Sequence, residues 1–318
     1  MRVLVVTSMY PAPAHPGLGG FVRDQVEALQ ALEGVEVELF AIEPGPPTRF
    51  IRAARDLRRK YGGERFDVVH AHHGLTGWSA LAVRGAPRVL TFHGTDLSHP
   101  IVGPLSRRLA RLVDLPAPVS TSLARLPGGG LPGAGTKRAA AILPCGVNLD
   151  RFAPRDRQDA RRARGLDPDG RYLLFPADPA RAEKRHDRAV ELARAAGDVE
   201  LLTYGDLQPD QVPDTINAAN AVVATSEREG FGLAPLEALA CDVPILSTDV
   251  GIAPVALRGV AGTLCAPYDV DGWLRALGPH LEEPDPRVAG RRRAAIFDRN
   301  RMAARVFEAY RELVAETA

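Results

Sequence analysis

The sequence predicts an α/β protein made of two doubly wound domains, on three observations. Short apolar, β-branched runs alternate with segments of helical spacing along most of the 318 residues. That alternation is the pattern of parallel sheets covered by helices on both faces. It runs twice, broken by a turn-rich crossing at Pro144–Phe152. The length also suits two domains of about 150 residues each.

Taken in order, Arg2–Ser8 reads as a strand buried on both faces, followed by the Pro/Gly-rich loop Pro11–Gly20. Phe21, Val22, Val26, Leu29 and Leu32 recur at helical spacing. Val35–Ile42 is a second strand and Phe50–Tyr61 a basic helix. Asp67–Ala71 and Arg88–Phe92 are further strands with a helix near Leu75–Val83 between them. Leu126–Gly135 reads as a loop, and Ala139–Leu143 as one more strand before the linker. The second series begins at Tyr172–Phe175 and continues through Val199–Thr203, Ala221–Thr225 and Val243–Ser247. Asn300–Val314 is a strong closing helix. The expected boundaries are 1–148, 149–299 and a terminal helix over 300–318.

Composition narrows the function classes. Hydrophobic residues at 45% and charged residues at 25% describe an ordinary globular chain. A net charge of +1 argues against a globally basic nucleic-acid binder. Cys145, Cys241 and Cys265 form no CxxC pair, so neither a disulfide framework nor a zinc ribbon is indicated, and a reducing cytoplasm fits. No apolar run of about 18 residues suggests a membrane span, and Met1–Val6 reads as a first strand rather than a signal peptide. Lysine occurs only at Lys60, Lys137 and Lys184, so 37 of the 40 basic residues are arginine. Arginine-rich stretches therefore carry little functional weight, and a lysine carries slightly more.

The stretch from Thr225 to Cys241 concentrates the chemistry. A strand ends near Thr225, the turn Gly230-Phe231-Gly232-Leu233 lets backbone approach a ligand, and Pro235 suits a helical first turn. Free N–H groups at such a helix start attract anions. Glu229 lies on the loop and Glu237 in the first turn. Two carboxylates beside an anion site make sense as acceptors for sugar hydroxyls. A capped helix start with solvated glutamates is the bland alternative.

This stretch resembles the E-x7-E signature of retaining glycosyltransferases with the GT-B fold, family four in particular. Glu229 and Glu237 have the spacing, and Ser-x-x-Glu-Gly-Phe-Gly-Leu-x-x-Leu-Glu-Ala matches around them. The resemblance implies two Rossmann-like domains facing across a cleft, with the C-terminal helix crossing back to the first. It implies that Glu229 holds the donor sugar and Glu237 the nucleotide ribose, with Gly230, Phe231, Gly232 and Leu233 at the donor.

Other segments extend it. Gly19-Gly20 resembles the family's glycine-rich loop near the donor phosphates, though a plain loop-to-helix joint explains it equally. Phe92-His93-Gly94-Thr95-Asp96 resembles the His-Gly-x-Asp segment whose His faces the donor sugar; a packed core histidine is the other reading. Phe175–Arg185 resembles the Arg…Lys diphosphate clamp. Lys184 fits it well, while Asp178-Pro179 replaces the usual Gly-Arg-Leu, so Arg181 is chosen by spacing alone. Tyr204-Gly205-Asp206 and Val212-Pro213 lie where relatives hold the base. Thr248–Gly251 corresponds to a loop along the phosphates. His70, His72 and His73 end a strand without a carboxylate to complete a metal set, and Asp167-Pro168-Asp169 reads as a turn.

The resemblance implies a glycosyltransferase moving a sugar from a nucleoside diphosphate sugar to a hydroxyl acceptor with retention, in glycan or glycoconjugate synthesis, without metal or other cofactor. It leaves the acceptor open, glycan or lipid-linked, with the Gly128–Gly135 loop as one border of its site. Localisation is expected to be cytoplasmic, with the basic helix carrying Arg49, Arg52, Arg55, Arg58, Arg59 and Lys60 offering a peripheral contact to the inner membrane surface; a solvated face is its simpler reading. The alternatives are a GT-B sugar-nucleotide epimerase and a non-catalytic carbohydrate-binding partner subunit. A dehydrogenase is disfavoured because no G-x-G-x-x-G follows a strand.

Overall fold

The structure, a computed structural model, describes residues 1–125, 140–205 and 207–317. The expected loop Leu126–Gly135, the start of the expected strand at Ala139, and Asp206 lie outside them. The chain forms two compact units, one running to Gly146 and resuming at Arg299, the other Val147–Asp298.

The first unit holds five parallel strands: β1 (Arg2–Thr7), β2 (Glu36–Ala41), β3 (Val68–His72), β4 (Arg88–Phe92) and β5 (Leu115–Pro118). Their order is β2-β1-β3-β4-β5. The register sets Thr7 beside His72, and His72 beside Thr91, so the carboxyl ends of the three central strands form one edge. β1 is apolar and buried throughout from Val3, as a strand covered on both faces must be.

β5, Leu-Pro-Ala-Pro, was not expected as a strand. Its prolines also explain a second difference. Residues 140–143 are not a strand, although Ala141 and Leu143 donate their N–H groups to the carbonyls of Pro116 and Pro118 at 3.1 Å each. Pro116 and Pro118 have no N–H to return, so only half of a ladder forms.

The helix Gly20–Gln30 and the closing helix Arg299–Thr317 pack together on this sheet. Val22, Val26 and Leu29 of the one share a core with Ala303, Val306, Tyr310 and Leu313 of the other, above Val3 and Val5. In the basic helix Arg49–Tyr61, Ala53, Leu57 and Tyr61 are buried, and Arg52, Arg55, Arg58, Arg59 and Lys60 are exposed.

The second unit holds β6 (Tyr172–Phe175), β7 (Glu200–Thr203), β8 (Ala221–Ala224), β9 (Ile245–Ser247) and β10 (Leu264–Cys265). All neighbours are parallel, in the order β10-β9-β8-β6-β7. Counted within the unit, this is the same topology as the first sheet, with the strand order switching between β6 and β8. Leu173, Phe175, Ala221, Val223 and Leu246 form its core with Leu192, Trp273 and Leu277. Open α/β sheets bind ligands at the carboxyl ends of strands flanking such a switch.

Candidate active site

A pocket of about 150 Å³ opens at that switch point, against Phe175 at the end of β6 and Ala224 at the end of β8. Local hydrogen bonds fix its rim. Thr225 Oγ1 donates to the carbonyls of Lys184 and Arg185 at 3.1 and 2.9 Å. Glu227 N–H donates to Glu183 O at 2.9 Å. Thr248 Oγ1 donates to Ser226 O at 2.6 Å. These bonds bind the loop after β6 to the loops after β8 and β9.

Inside that frame Lys184 Nζ lies 2.5 Å from Glu229 Oε1, and Ser226 Oγ donates to the same oxygen at 2.8 Å. The two charged side chains are only 13% and 18% exposed. Glu237, in the first turn of the helix Ala234–Ala240, lines the same pocket, as do Gly232, Leu233 and Pro235. The eight-residue spacing thus puts one carboxylate on a loop and the other on a helix, facing one cavity.

Two glycines shape this loop. Gly232 has φ +77°. Gly251 has φ +60°, and a Cβ there would lie 2.2 Å from Phe231 O and 2.8 Å from Glu229 Cβ. Ile252 N–H donates to Phe231 O at 2.7 Å, clamping the same turn. Phe231 itself is buried against Phe297, with ring centroids 6.4 Å apart, and neither it nor Gly230 lines the pocket. The anchoring roles of Thr225, Ser226 and Gly251 were not foreseen; the serine three residues before Glu229 was the visible signal for one of them.

Arg181 is not brought to the pocket. Asp178 Oδ1 accepts the Ala180 N–H at 2.8 Å, and the turn that follows leaves Arg181 half exposed, paired with Glu183 at 2.6 Å. Tyr204 places a buried hydroxyl, without a hydrogen-bond partner among the described residues, near the Glu237 and Cys241 side chains. Burial, reinforced by Glu237, pushes its ionisation well up. Val212-Pro213 starts the helix Val212–Ala218. Asp167-Pro168-Asp169 is a turn, with Asp169 N–H donating to Asp167 Oδ1 at 3.0 Å.

In the first unit, Gly19 caps the helix Gly20–Gln30 at φ +64°, where a Cβ would meet Met9 O at 2.3 Å. That close turn accounts for Gly19, and Gly20 has open space around it. Phe21 leans on His93, with ring centroids 5.1 Å apart. His93 is half-buried, follows β4, and donates its backbone N–H to the Asp96 carboxylate at 3.1 Å. Desolvation, then the neighbouring His72 and His73, hold its imidazole well below the usual range, so the ring is neutral. His73 is a non-glycine residue at φ +82° whose Nδ1 accepts the Leu75 N–H at 3.3 Å. Among the described residues no group of three His, Cys, Asp or Glu is arranged to hold a metal ion, and no helix is long and apolar enough to cross a membrane.

Comparison with known proteins agrees with this geometry. The family model described as Glycosyltransferase Family 4 matches residues 2–151, and the model described as Glycosyl transferases group 1 matches residues 182–296. The chain belongs to the group 1 glycosyltransferases of family four. It is thus a retaining glycosyltransferase, an enzyme that moves a sugar from a nucleoside diphosphate sugar to a hydroxyl acceptor. It is 28% identical to the D-inositol 3-phosphate glycosyltransferase of Actinosynnema mirum, over 91% of this chain and 91% of the relative. Sucrose-phosphate synthase from Thermosynechococcus elongatus superimposes with a TM-score of 0.73 at 21% identity, covering 99% of both chains. Anabaena HepE, solved in complex with UDP, superimposes at 0.67 with 14% identity, over 98% of this chain and 100% of that one. These likenesses show the GT-B fold. They support neither the epimerase nor the partner-subunit alternative.

Proposed function

We propose specific roles for the residues of this enzyme. The observation that carries them is the Lys184–Glu229 pair at 2.5 Å in a pocket shared with Glu237. Lys184 holds the donor diphosphate and stabilises it as it leaves. Glu229 orients the donor sugar through its hydroxyls, and Glu237 holds the ribose. Gly232 and Leu233 let backbone approach the phosphates; Gly230 and Phe231 shape that turn from behind. Arg181 joins Lys184 by leaving Glu183 when the diphosphate binds. Gly19 and Gly20 on the first unit are carried forward as a donor-phosphate loop on the resemblance alone. His93 is carried forward as a donor-sugar contact on the His-Gly-x-Asp resemblance.

In the reaction the bond from the anomeric carbon to the diphosphate breaks, and a bond to the acceptor oxygen forms on the same face. The acceptor's proton passes to the leaving phosphate oxygen. Lys184 supplies fixed positive charge for this departure, and the proposal assigns no step to a metal. The acceptor is a hydroxyl compound, glycan or lipid-linked. Because curated relatives are named for D-inositol 3-phosphate, that compound heads the acceptor panel. A cytoplasmic enzyme touching anionic lipid through the exposed face of Arg49–Tyr61 completes the reading.

The test is a thermal-shift screen of UDP, GDP, ADP and their sugar conjugates, with magnesium and with EDTA. Ligand at 100 times its Kd adds about 2.7 kcal/mol of stability. One nucleotide series raising Tm in EDTA, with the shift lost in Lys184→Met, is the expected result. Folded protein that shifts with none of them overturns the proposed donor site.

A further inference from the structure

Three imidazoles stack along the carboxyl edge of the first sheet. His70 lies on His72 with centroids 4.3 Å apart, and His72 on His93 at 5.3 Å. His70 is fully buried and held at both ring nitrogens: Nδ1 is 2.5 Å from Tyr310 Oη, and Nε2 is 2.7 Å from Thr91 Oγ1. It forms a fixed wall. His72 is also fully buried, with Nδ1 3.1 Å from His93 Nε2. Its other nitrogen, Nε2, is buried without a hydrogen-bond partner among the described residues.

This geometry decides where the protons sit. A neutral imidazole carries one N–H and one bare nitrogen. Desolvation depresses all three rings, His72 to about 3, so each is neutral at pH 7. A buried N–H without an acceptor is rarer in proteins than an under-used acceptor. The single hydrogen of His72 therefore sits on Nδ1, where His93 Nε2 can accept it, and the orphaned Nε2 is the bare one. His93 Nε2 is then an acceptor, and the hydrogen of His93 must be on Nδ1.

We propose that His72 is a positioning residue that fixes His93 as its Nδ1–H tautomer, so that the nitrogen His93 offers to substrate is a hydrogen-bond donor and not a base. The inference rests on the reading of His93 as a donor-sugar contact. It gives His93 a definite chemistry: Nδ1–H donates to a sugar hydroxyl oxygen and takes no proton from it.

The experiment reads the tautomer directly, on the full chain without ligand, from ring 15N–1H correlations of histidine-labelled protein. The His93 signals are identified by their loss in His93→Gln. Wild type shows His93 as Nδ1–H, the minor form of a free imidazole. His72→Leu returns it to the Nε2–H form that water favours. His72→Asn, whose amide offers an N–H in place of Nδ1–H, keeps the wild-type form. Transfer kinetics follow: His72→Leu lowers kcat/KM by about tenfold, the worth of one hydrogen bond, and His72→Asn recovers most of it. His93 found as Nε2–H in wild type overturns the inference without any variant, as does Nδ1–H retained in His72→Leu. A switched tautomer with wild-type transfer instead overturns the role given to His93.

Discussion

Replacing Lys184 by Met leaves the Glu229 carboxylate in a recess with Ser226 Oγ at 2.8 Å and no cation at 2.5 Å. Replacing Glu229 by Gln strands the ammonium in the same way. One-sided removal from a fully buried pair costs about 3–5 kcal/mol, and an exposed pair is worth about 0–1 kcal/mol. At 13% and 18% exposure this pair lies between those limits, and we expect about 2 kcal/mol for each single variant. In a unit of this size that lowers Tm by about 4–8 °C. The double variant Lys184→Met/Glu229→Gln removes both charges together. It should be about 1–2 kcal/mol more stable than the sum of the singles predicts. Transfer should behave oppositely. If Lys184 faces the diphosphate and Glu229 the sugar, each single variant loses about 10²–10³ in kcat/KM, and the double variant recovers none of it. Trp78 and Trp273 are the two tryptophans, one in each unit. Trp78→Phe protein therefore reports the second unit alone during urea unfolding. A double variant that regains both stability and transfer would show the pair to be structural, and would refute the site.

Arg181→Ala removes a half-exposed side chain whose ion pair with the partly buried Glu183 is worth about 0–1 kcal/mol, so Tm should not move. Donor Kd by titration should still weaken about tenfold if Arg181 swings to the diphosphate; an unchanged Kd rejects that swing. Gly251→Ala places a methyl 2.2 Å from Phe231 O at φ +60° and should cost about 3 kcal/mol, with donor KM raised through Glu229. Gly165→Ala, at φ +68° with open space, isolates the conformational part at about 1 kcal/mol. Equal losses in the two would discount the close approach. For pH, the folded His72 pKa of about 3 lies below its usual 6.5. The unfolded chain therefore gains this proton first as pH falls. The stability at stake is complete above about pH 6.5 and is lost towards pH 3. Between pH 7 and 5 the first unit should lose about 2 kcal/mol from His72 alone. Because His70 and His93 are depressed too, the check is the difference between Trp273→Phe protein and its His72→Leu derivative unfolded in urea across that range; equal slopes would show that His72 is not held neutral.

Strands announced themselves in the sequence where burial on both faces left an uninterrupted apolar run, as in β1 and β6. β5 did not, because Pro116 and Pro118 carry the composition of a turn while their carbonyls still serve an edge. The helix Arg157–Arg164 was hidden for another reason. Its inner face is arginine: Arg157 and Arg161 are 2% and 4% exposed, and their guanidinium groups donate to the carbonyls of Ala219, Pro286 and Ala218. A search for apolar periodicity passes over a helix docked by buried cations on backbone oxygens. At the site, Glu229, Glu237 and Lys184 were readable because spacing and residue type together carry their placement. Arg181 was not, since the turn set by Asp178 decides where its side chain goes.

The two sheets share one strand order, yet their carboxyl edges are suited to different chemistry. The second unit's pocket holds a lysine against a carboxylate, and on the proposed reading that lysine faces a diphosphate that must leave as an anion. The first unit's edge carries stacked imidazoles that desolvation keeps neutral. Such rings offer little electrostatic support to a departing diphosphate, and can still donate or accept single hydrogen bonds. On the roles proposed above, charge stabilisation falls to Lys184 and its surroundings, and recognition of hydroxyl groups falls to His93. A variant that places charge at the imidazole edge, such as His72→Lys, should pay the full desolvation penalty of the cation. It should destabilise the first unit while leaving the Kd for the free nucleoside diphosphate, which lacks the sugar that His93 reads, within about threefold of wild type. Loss of nucleoside diphosphate binding in folded His72→Lys protein would contradict that division.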